Sequence, residues 1–244
     1  MKIKNIYNYL NSISPFDTQE KWDNSGLIIG NMKDKFKNIY ISLDLDLKTI
    51  KKVKKNSLII THHPLIFSPL KKINGDSYSS KIVRYLIKNN IYLISMHTNI
   101  DKSHLNEYVG KKVLKFNFKK VDDFIITAKV NMKFNKLLKI IKKRLNINIV
   151  KNTKTKKFIK NISLTTGSGM SLLNYIKTDC FLTGDIKYHE AMEADSKNIS
   201  LIDIGHYESE IHFIYLLNKL LKPYLKNKNK KAIMLKSNNP FNYN

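Results

Sequence analysis

Residues 38–63 read NIYISLDLDLKTIKKVKKNSLIITHH and contain two apolar runs, NIYISLDL at 38–45 and SLIIT at 57–61. Uninterrupted apolar runs of this length are typical of strands whose two faces are both covered. Four similar runs follow, at residues 91–96, 161–166, 179–184 and 199–204. The sequence therefore predicts six buried strands.

Segments of helical length lie between and around these runs. We predict helices over residues 46–55, 79–90, 133–145, 169–177 and 188–195. Ser79 and Asp185 are expected to be helix N-caps, because short polar side chains accept hydrogen bonds from the first helical turn. The lysine-rich stretch 151–157 is expected to be a surface loop. Strands that alternate with helices predict an α/β fold with largely parallel pairing.

The chain contains an internal similarity. KNIYISLDL begins at Lys37 and KNISLTTGS begins at Lys160; His62 follows Asn38 by 24 positions, as Asp185 follows Asn161. Short segments rich in Ile, Lys and Asn also resemble one another by chance, so the repeat is a hypothesis. It predicts two similar α/β lobes, residues 1–120 and 121–244, with a C-terminal tail that can pack back on the first lobe.

The composition is that of a globular protein. The 244 residues are 42% apolar and 26% charged, which is enough to bury a sizeable core. Cys180 is the single cysteine, so no internal disulfide forms, as expected in a reducing compartment. The first residues show no signal-peptide pattern, and the apolar runs are too short to span a bilayer. We expect a cytoplasmic protein with no membrane partner.

The formal charge of +25 has two interpretations. Such a field attracts polyanions, nucleic acid included. Alternatively it reflects drift of composition, because only Arg84 and Arg144 among the 44 basic residues are arginine. Proteins that read bases favour arginine for its forked pair of donors. The scattered lysines therefore favour drift over nucleic-acid binding.

Residues able to bind a metal follow several of the predicted strands. They are His62 with His63, His97, Asp185 and His206. In open α/β sheets, ligands bind beyond the carboxyl ends of the strands. Adjacent histidines point to opposite faces of a regular strand, so both can converge only where the strand has ended. Pro64 directs the chain into such an exit.

Two of these histidines are each followed, four positions later, by an acidic residue. His206 with Glu210, and His97 with Asp101, would each share one face of a helix that starts there. His97 can instead orient a ligand from behind it. The combined set of His62, His63, Asp101, His206 and Glu210 mixes nitrogen and oxygen donors, which suits Zn, Mn, Fe, Co or Ni.

A pair of such ions lowers the pKa of a shared water, which indicates hydrolysis. The alternative is a metal site that only fastens the two lobes together.

Two other segments carry weaker signals. Residues 22–27, WDNSGL, are interpreted as a structural turn. The glycine-rich residues 166–169, TGSG, either cradle an anion or form a tight connection.

Five motifs in order resemble one known family. They are WDNSGLIIG (22–30), THHPLIFSPLKKI (61–73), HTNID (97–101), TGDIKYHEAMEA (183–194) and DIGHYESE (203–210). The set is similar to the GTP cyclohydrolase 1 type 2 homologue family, also called Nif-three-like proteins. The likeness covers essentially the whole chain.

The resemblance implies a two-lobed α/β fold with a dinuclear metal site in the cleft between the lobes. It implies that His62, His63, Asp101, His206 and Glu210 bind two divalent ions. Independently of the resemblance, His97 and Asp185 are candidates for residues that orient these ligands from behind. The resemblance also implies a toroidal homohexamer and, from the family name, hydrolytic opening of the guanine imidazole ring of GTP.

Two further function classes remain open from the sequence. One is a ring-shaped nucleic-acid-binding protein with structural metals, which the +25 charge would suit. The other is a metal carrier or insertase, for which an exchangeable site would suffice. The residues identify neither the substrate, nor the metal, nor a general acid or base.

Overall fold

A computed structural model of the chain describes residues 1–242. The chain divides into two compact units. The first contains Met1–Ile100 and Phe213–Pro240, and the second contains Asp101–His212 together with residues 241–242. Each unit has its own mixed α/β architecture and its own sheet.

The first unit is built on a five-stranded sheet. Its strands are β1 (Gly26–Ile29), β2 (Asn38–Ser42), β3 (Ser57–Thr61), β4 (Ile91–Ser95) and β11 (Ala232–Leu235), in the spatial order β1-β4-β3-β2-β11. β11, β2, β3 and β4 are parallel, whereas β1 pairs antiparallel with β4 at the edge. The helices are α1 (Ile3–Ile13), α2 (Tyr78–Lys88), the short α3 (Thr98–Ile100) and α8 (Phe213–Lys226).

The apolar runs explain why the central strand of this sheet is buried on both faces. Every residue of β3 is buried, and Leu58, Ile59 and Ile60 are fully excluded from solvent. Fully burying one such side chain contributes about 1.5–3 kcal/mol relative to leaving it exposed. Helix α2 buries Ile82 and Leu86 against the same core. This packing fixes the carboxyl end of β3, where His62 follows.

The second unit is built on a six-stranded sheet. Its strands are β5 (Lys119–Lys120), β6 (Ile126–Lys133), β7 (Asn152–Thr153), β8 (Phe158–Leu164), β9 (Cys180–Thr183) and β10 (Ser200–Asp203), in the order β5-β6-β8-β9-β10-β7. β8, β9 and β10 are parallel, and the other pairings are antiparallel. The helices are α4 (Asn106–Tyr108), α5 (Phe134–Leu145), α6 (Tyr188–Ser196) and α7 (His206–Glu210).

The two sheets share one strand order. In the first unit the order β1-β4-β3-β2 has an antiparallel edge strand, followed by three parallel strands. In the second unit β7-β10-β9-β8 repeats that order, again with the earliest strand antiparallel at the edge. β3 and β9 occupy equivalent places, and the metal-type residues His62 and Asp185 follow them. The topology therefore agrees with the sequence repeat.

The unit boundary differs from the predicted boundary at residue 120. Residues 101–114 pack within the second unit, where Asn106 donates from Nδ2 to the carbonyl oxygen of Phe124. Asp101 consequently lies in the second unit, whereas the predicted boundary placed it in the first lobe. Residues 213–240 return to the first unit, because β11 extends its sheet beside β2.

The six predicted strands are confirmed, but several helices differ from prediction. Residues 46–55 contain only a short 3₁₀ turn, Ile50–Lys52, and residues 169–177 contain the 3₁₀ turn Met170–Tyr175. Apolar spacing is similar in 3₁₀ turns and helices, so it did not separate them. The predicted loop at 151–157 includes β7.

Both predicted N-caps are wrong. Ser77, not Ser79, caps α2, because its side chain accepts from the amide of Ser80. Asp185 precedes α6 without capping it; the carboxylate instead contacts His206. No helix among residues 1–242 has both the length and the apolar content needed to span a lipid bilayer.

We expect Cys180 to be unreactive in the folded protein. Its side chain is fully buried in β9, and burial raises the pKa of the thiol well above its ordinary value. Because the thiolate is the reactive form, a colorimetric thiol reagent should label no thiol in native buffer and one per chain in concentrated urea. Rapid labelling without denaturant would contradict the buried position of β9.

Candidate metal centre

His62 and His63 lie at the end of β3, where the ladder stops and the chain turns. The amides of both residues donate to the carbonyl oxygen of Leu43, at 3.2 and 3.3 Å. This shared acceptor breaks the strand alternation, so the two rings can lie on the same side, with centroids 4.8 Å apart. His62 is fully buried and His63 is half-buried.

Each of the three clustered histidines in the first unit donates from Nδ1 to an oxygen. His62 donates to the carbonyl oxygen of Met96 at 2.8 Å, and His63 donates to Asp44 Oδ1 at 2.7 Å. His97 donates to Asp23 Oδ1 at 2.8 Å. These bonds fix the tautomer of each ring, so that Nε2 is the nitrogen left as an electron-pair donor.

The three rings converge. His97 lies 5.1 Å from His62 and 5.4 Å from His63 between ring centroids, edge-on to both. One ring nitrogen of each histidine lies within 4.8 Å of the others, a spacing that could hold a metal ion. The first unit therefore brings together His62, His63 and His97, three of the residues that the sequence predicts at strand ends.

Asp23 is the anchor of His97. Its side chain is fully buried and accepts hydrogen bonds from His97, from the amide and hydroxyl of Thr98, and from the hydroxyl of Ser25. Burial acts to raise the pKa of Asp23, but the bonds from His97 and Thr98 outweigh it and hold the pKa well below its usual range. Asp23 is thus a carboxylate that locks the ring of His97.

The second unit presents a second donor group. His206 begins α7 and Glu210 ends it, so one helical turn places both on one face. His206 Nε2 lies 2.9 Å from Glu210 Oε2, and His206 Nδ1 donates to Asp185 Oδ2 at 2.7 Å. The arrangement repeats that of His63, whose Nδ1 is also held by a carboxylate that follows a parallel strand.

A glycine makes room for Glu210. Gly167 has φ +64°, and a Cβ built on it would lie 2.1 Å from Glu210 Oε1. The amide of Gly167 donates to the hydroxyl of Ser209, and the amide of Gly169 donates to the hydroxyl of Thr183. The TGSG segment is therefore a tight connection that seats a carboxylate, and these two amides already have partners.

Comparison with known proteins agrees with this fold. The family model Duf34/NIF3 (NGG1p interacting factor 3) matches residues 1–240. The chain belongs to the NIF3 family. A Campylobacter jejuni relative, named GTP cyclohydrolase 1 type 2 homolog, is 46% identical over 244 residues, covering all of both chains. A Helicobacter pylori (strain J99) relative, named GTP cyclohydrolase 1 type 2, is 41% identical over 90% of this chain and 91% of its own.

Solved structures show the same fold. A Staphylococcus aureus crystal structure matches with a TM-score of 0.88 at 27% identity, covering 100% of this chain and 99% of the other. Reduced HcgD from Methanocaldococcus jannaschii matches with a TM-score of 0.81 at 27% identity, covering 96% and 98%. The family resemblance predicted from the motifs is thus confirmed.

Within this NIF3 protein, each of the two units contributes predicted site residues. His62 and His63 cluster with His97 in the first unit, and His206 lies with Glu210 and Asp185 in the second. Asp101 lies in the second unit. It begins a π-helical turn, Asp101–Leu105, and its Oδ1 atom is buried.

Sequence reasoning missed Asp44, Asp23 and Gly167. Asp44 follows β2 just as His62 follows β3, so its place at a strand end was a usable signal. Asp23 was concealed in a segment interpreted as a structural turn. The amide of Asn24 and the hydroxyl of Ser25 do bond locally to its carboxylate. Its contact with His97 joins positions 74 residues apart, which no local pattern reveals.

We expect Gly167→Ala to destabilise the protein and displace Glu210. An L-residue in the left-handed region costs about 1–2 kcal/mol, and the new methyl group would also overlap the Glu210 carboxylate. Urea unfolding should therefore show a larger loss of unfolding free energy than the matched change Gly75→Ala. Gly75 also has positive φ, but its neighbour is the flexible end of Arg84. Equal losses in the two variants would show that Glu210 moves aside freely.

Proposed function

We propose that this protein is a dinuclear metal-dependent hydrolase that acts on a nucleotide or related heterocycle. In this proposal the five ligands are His62, His63, Asp101, His206 and Glu210, and the ions lie in the cleft between the two lobes. The names of the relatives support the substrate class, since both refer to a GTP cyclohydrolase.

One observation carries the proposal. Four histidines at the two donor groups each direct Nδ1–H to an oxygen acceptor, and in three of them that oxygen is a carboxylate. Metal-binding histidines characteristically donate their other ring N–H to a carboxylate or carbonyl, which fixes the ring and raises its basicity. A buried histidine that serves only in packing also needs an acceptor, but here one ring nitrogen from each of His62, His63 and His97 also lies within 4.8 Å of the others.

The donor set fits a transition metal. Three imidazoles with two carboxylates favour Zn, Mn, Fe, Co or Ni over the all-oxygen sites typical of Ca or Mg. When bound, two such ions supply Lewis acidity and a water whose pKa is lowered towards neutrality. A closed site of four thiolates or imidazoles would instead indicate a structural metal.

Carboxylates and one backbone carbonyl of the chain orient the proposed histidine ligands. Asp44 and Asp185 hold His63 and His206 from behind, while Met96 holds His62 through its carbonyl oxygen. Asp23 fixes His97 beside the two histidine ligands. His97 therefore supports the shape of the site from within the first unit.

The resemblance to the family also supports two statements about the assembly, which belong to the proposal. We propose that the protein forms a toroidal homohexamer, with the metal centres facing its inner cavity, and that it acts in the cytoplasm. Enclosure of the centres in a cavity would admit small substrates such as nucleotides and exclude larger molecules.

Metal content and hydrolysis should depend on the same histidines. We expect native protein to contain two transition-metal ions per chain by elemental analysis and, when metal-loaded, to hydrolyse GTP or a related nucleotide. His63→Ala and His206→Ala should lose metal and reduce turnover by at least about 100-fold, because each removes a ligand. The matched control is His189→Ala, since His189 is exposed on α6. Full activity in either ligand variant, or metal-free native protein, would reject the proposal.

The supporting carboxylates should tune metal affinity. We expect Asp44→Asn to weaken binding of Zn²⁺ by about 10- to 100-fold, the usual effect of losing such a partner. Competition with a chromophoric chelator measures the dissociation constant. Asp17→Asn, at an exposed position in a 3₁₀ turn, is the control and should bind metal as the unchanged protein does. Equal affinities in both variants would remove Asp44 from the site.

A further inference from the structure

Two large aromatic side chains are exposed beside the histidine cluster of the first unit. Trp22 is 59% exposed and Phe67 is 52% exposed. Their ring centroids lie 5.9 Å apart with a 55° tilt. Each ring also lies edge-on to His97, at 6.1 Å for Trp22 and 6.4 Å for Phe67. The three rings form an open aromatic platform, defined here as Trp22, Phe67 and His97.

The platform is held in place by partly buried hydrogen bonds. Asn24 Nδ2 donates to the carbonyl oxygen of Ile66, which ties the segment of Trp22 to that of Phe67. Asp23, next to Trp22 in sequence, bonds both His97 and Thr98. The exposed rings therefore project from anchored backbone, and their solvent exposure is built into the fold.

The chemistry of the platform indicates a planar ligand. Two exposed π faces suit a flat ring stacked upon one of them, and base–aromatic stacking tolerates any heterocycle with a π face. A cationic ligand would also be attracted to these rings, but the formal charge of +25 repels cations and attracts phosphates. Lys71 and Lys72, both exposed, follow Phe67 in the same loop.

We infer that Trp22 and Phe67 bind the heteroaromatic ring of the substrate by stacking and so present it to the metal donors at His62 and His63. The assignment of this ligand as the substrate rests on the proposed hydrolase function. His97 links the two parts of the site, because its ring lies beside those of Trp22 and Phe67 and also beside those of His62 and His63. Stacking recognises the plane of the ring, so Trp22 and Phe67 set the ligand class and not the identity of one base.

The platform can be tested directly because Trp22 is the single tryptophan of the chain. Its fluorescence is measured while guanosine 5′-monophosphate is added to the metal-loaded protein and, separately, to chelator-treated protein. Free N-acetyltryptophanamide corrects for absorption by the nucleotide. We expect saturable quenching in both forms, and none with ribose 5-phosphate, which has the phosphate and sugar without the ring.

A matched pair of variants separates the platform from general surface binding. Phe67→Leu should weaken guanosine 5′-monophosphate binding by about tenfold, within the usual range for loss of one stacking partner. Phe158→Leu, which alters a phenylalanine in β8 that is 50% exposed, should bind as the unchanged protein does. Calorimetry with Trp22→Leu should show a similar loss without relying on the fluorophore.

The outcomes distinguish this inference from the proposed function. Quenching that is absent, that is matched by ribose 5-phosphate, or that is unchanged in Phe67→Leu overturns the platform, even if the protein hydrolyses nucleotides. Ring-dependent quenching that Phe67→Leu weakens supports the platform, even if hydrolysis and metal are absent and the hydrolase proposal fails.

Discussion

The candidate site depends on one repeated interaction, an imidazole Nδ1–H donated to a fixed oxygen. A histidine ring that is free to rotate offers either nitrogen in either of two tautomers, and ordering it on ligand binding costs free energy. Here His62, His63, His97 and His206 each have that choice removed by an acceptor at 2.7–2.8 Å. The rings are therefore oriented before any ion or substrate arrives.

The fold provides these acceptors through its parallel strands. Four parallel strands in the first unit and three in the second end at one edge of their sheet, so residues that are distant in sequence come together there. Asp44 after β2 reaches His63 after β3, and Asp185 after β9 reaches His206 after β10. Both units thus contain a carboxylate–histidine pair on neighbouring parallel strands. The two pairs lie at different places in the repeat, because β9 is the equivalent of β3 and not of β2.

Two glycines leave room for neighbouring groups at the site. Gly167 provides the gap that Glu210 occupies, and Gly184 lies so near the backbone that a Cβ would meet the His206 amide at 2.7 Å. The buried carboxylate of Asp23 would be unfavourable without its five donor groups. With these donors, Asp23 connects the turn after Trp22 to His97, so the same carboxylate supports both the aromatic platform and the histidine cluster.

The sequence by itself determined the α/β class, the six buried strands, the repeat and the family, because continuous apolar runs and ordered motifs are local properties of the chain. It also predicted His62, His63, Asp101, His206 and Glu210 as metal ligands, since a residue at a strand end or one helical turn away has a predictable position; that ligand set stays a prediction. Only the tertiary structure decided which acceptor holds each histidine and which glycine makes room for Glu210. Those contacts join residues up to 74 positions apart, and their geometry depends on how strands pair, which local sequence does not encode.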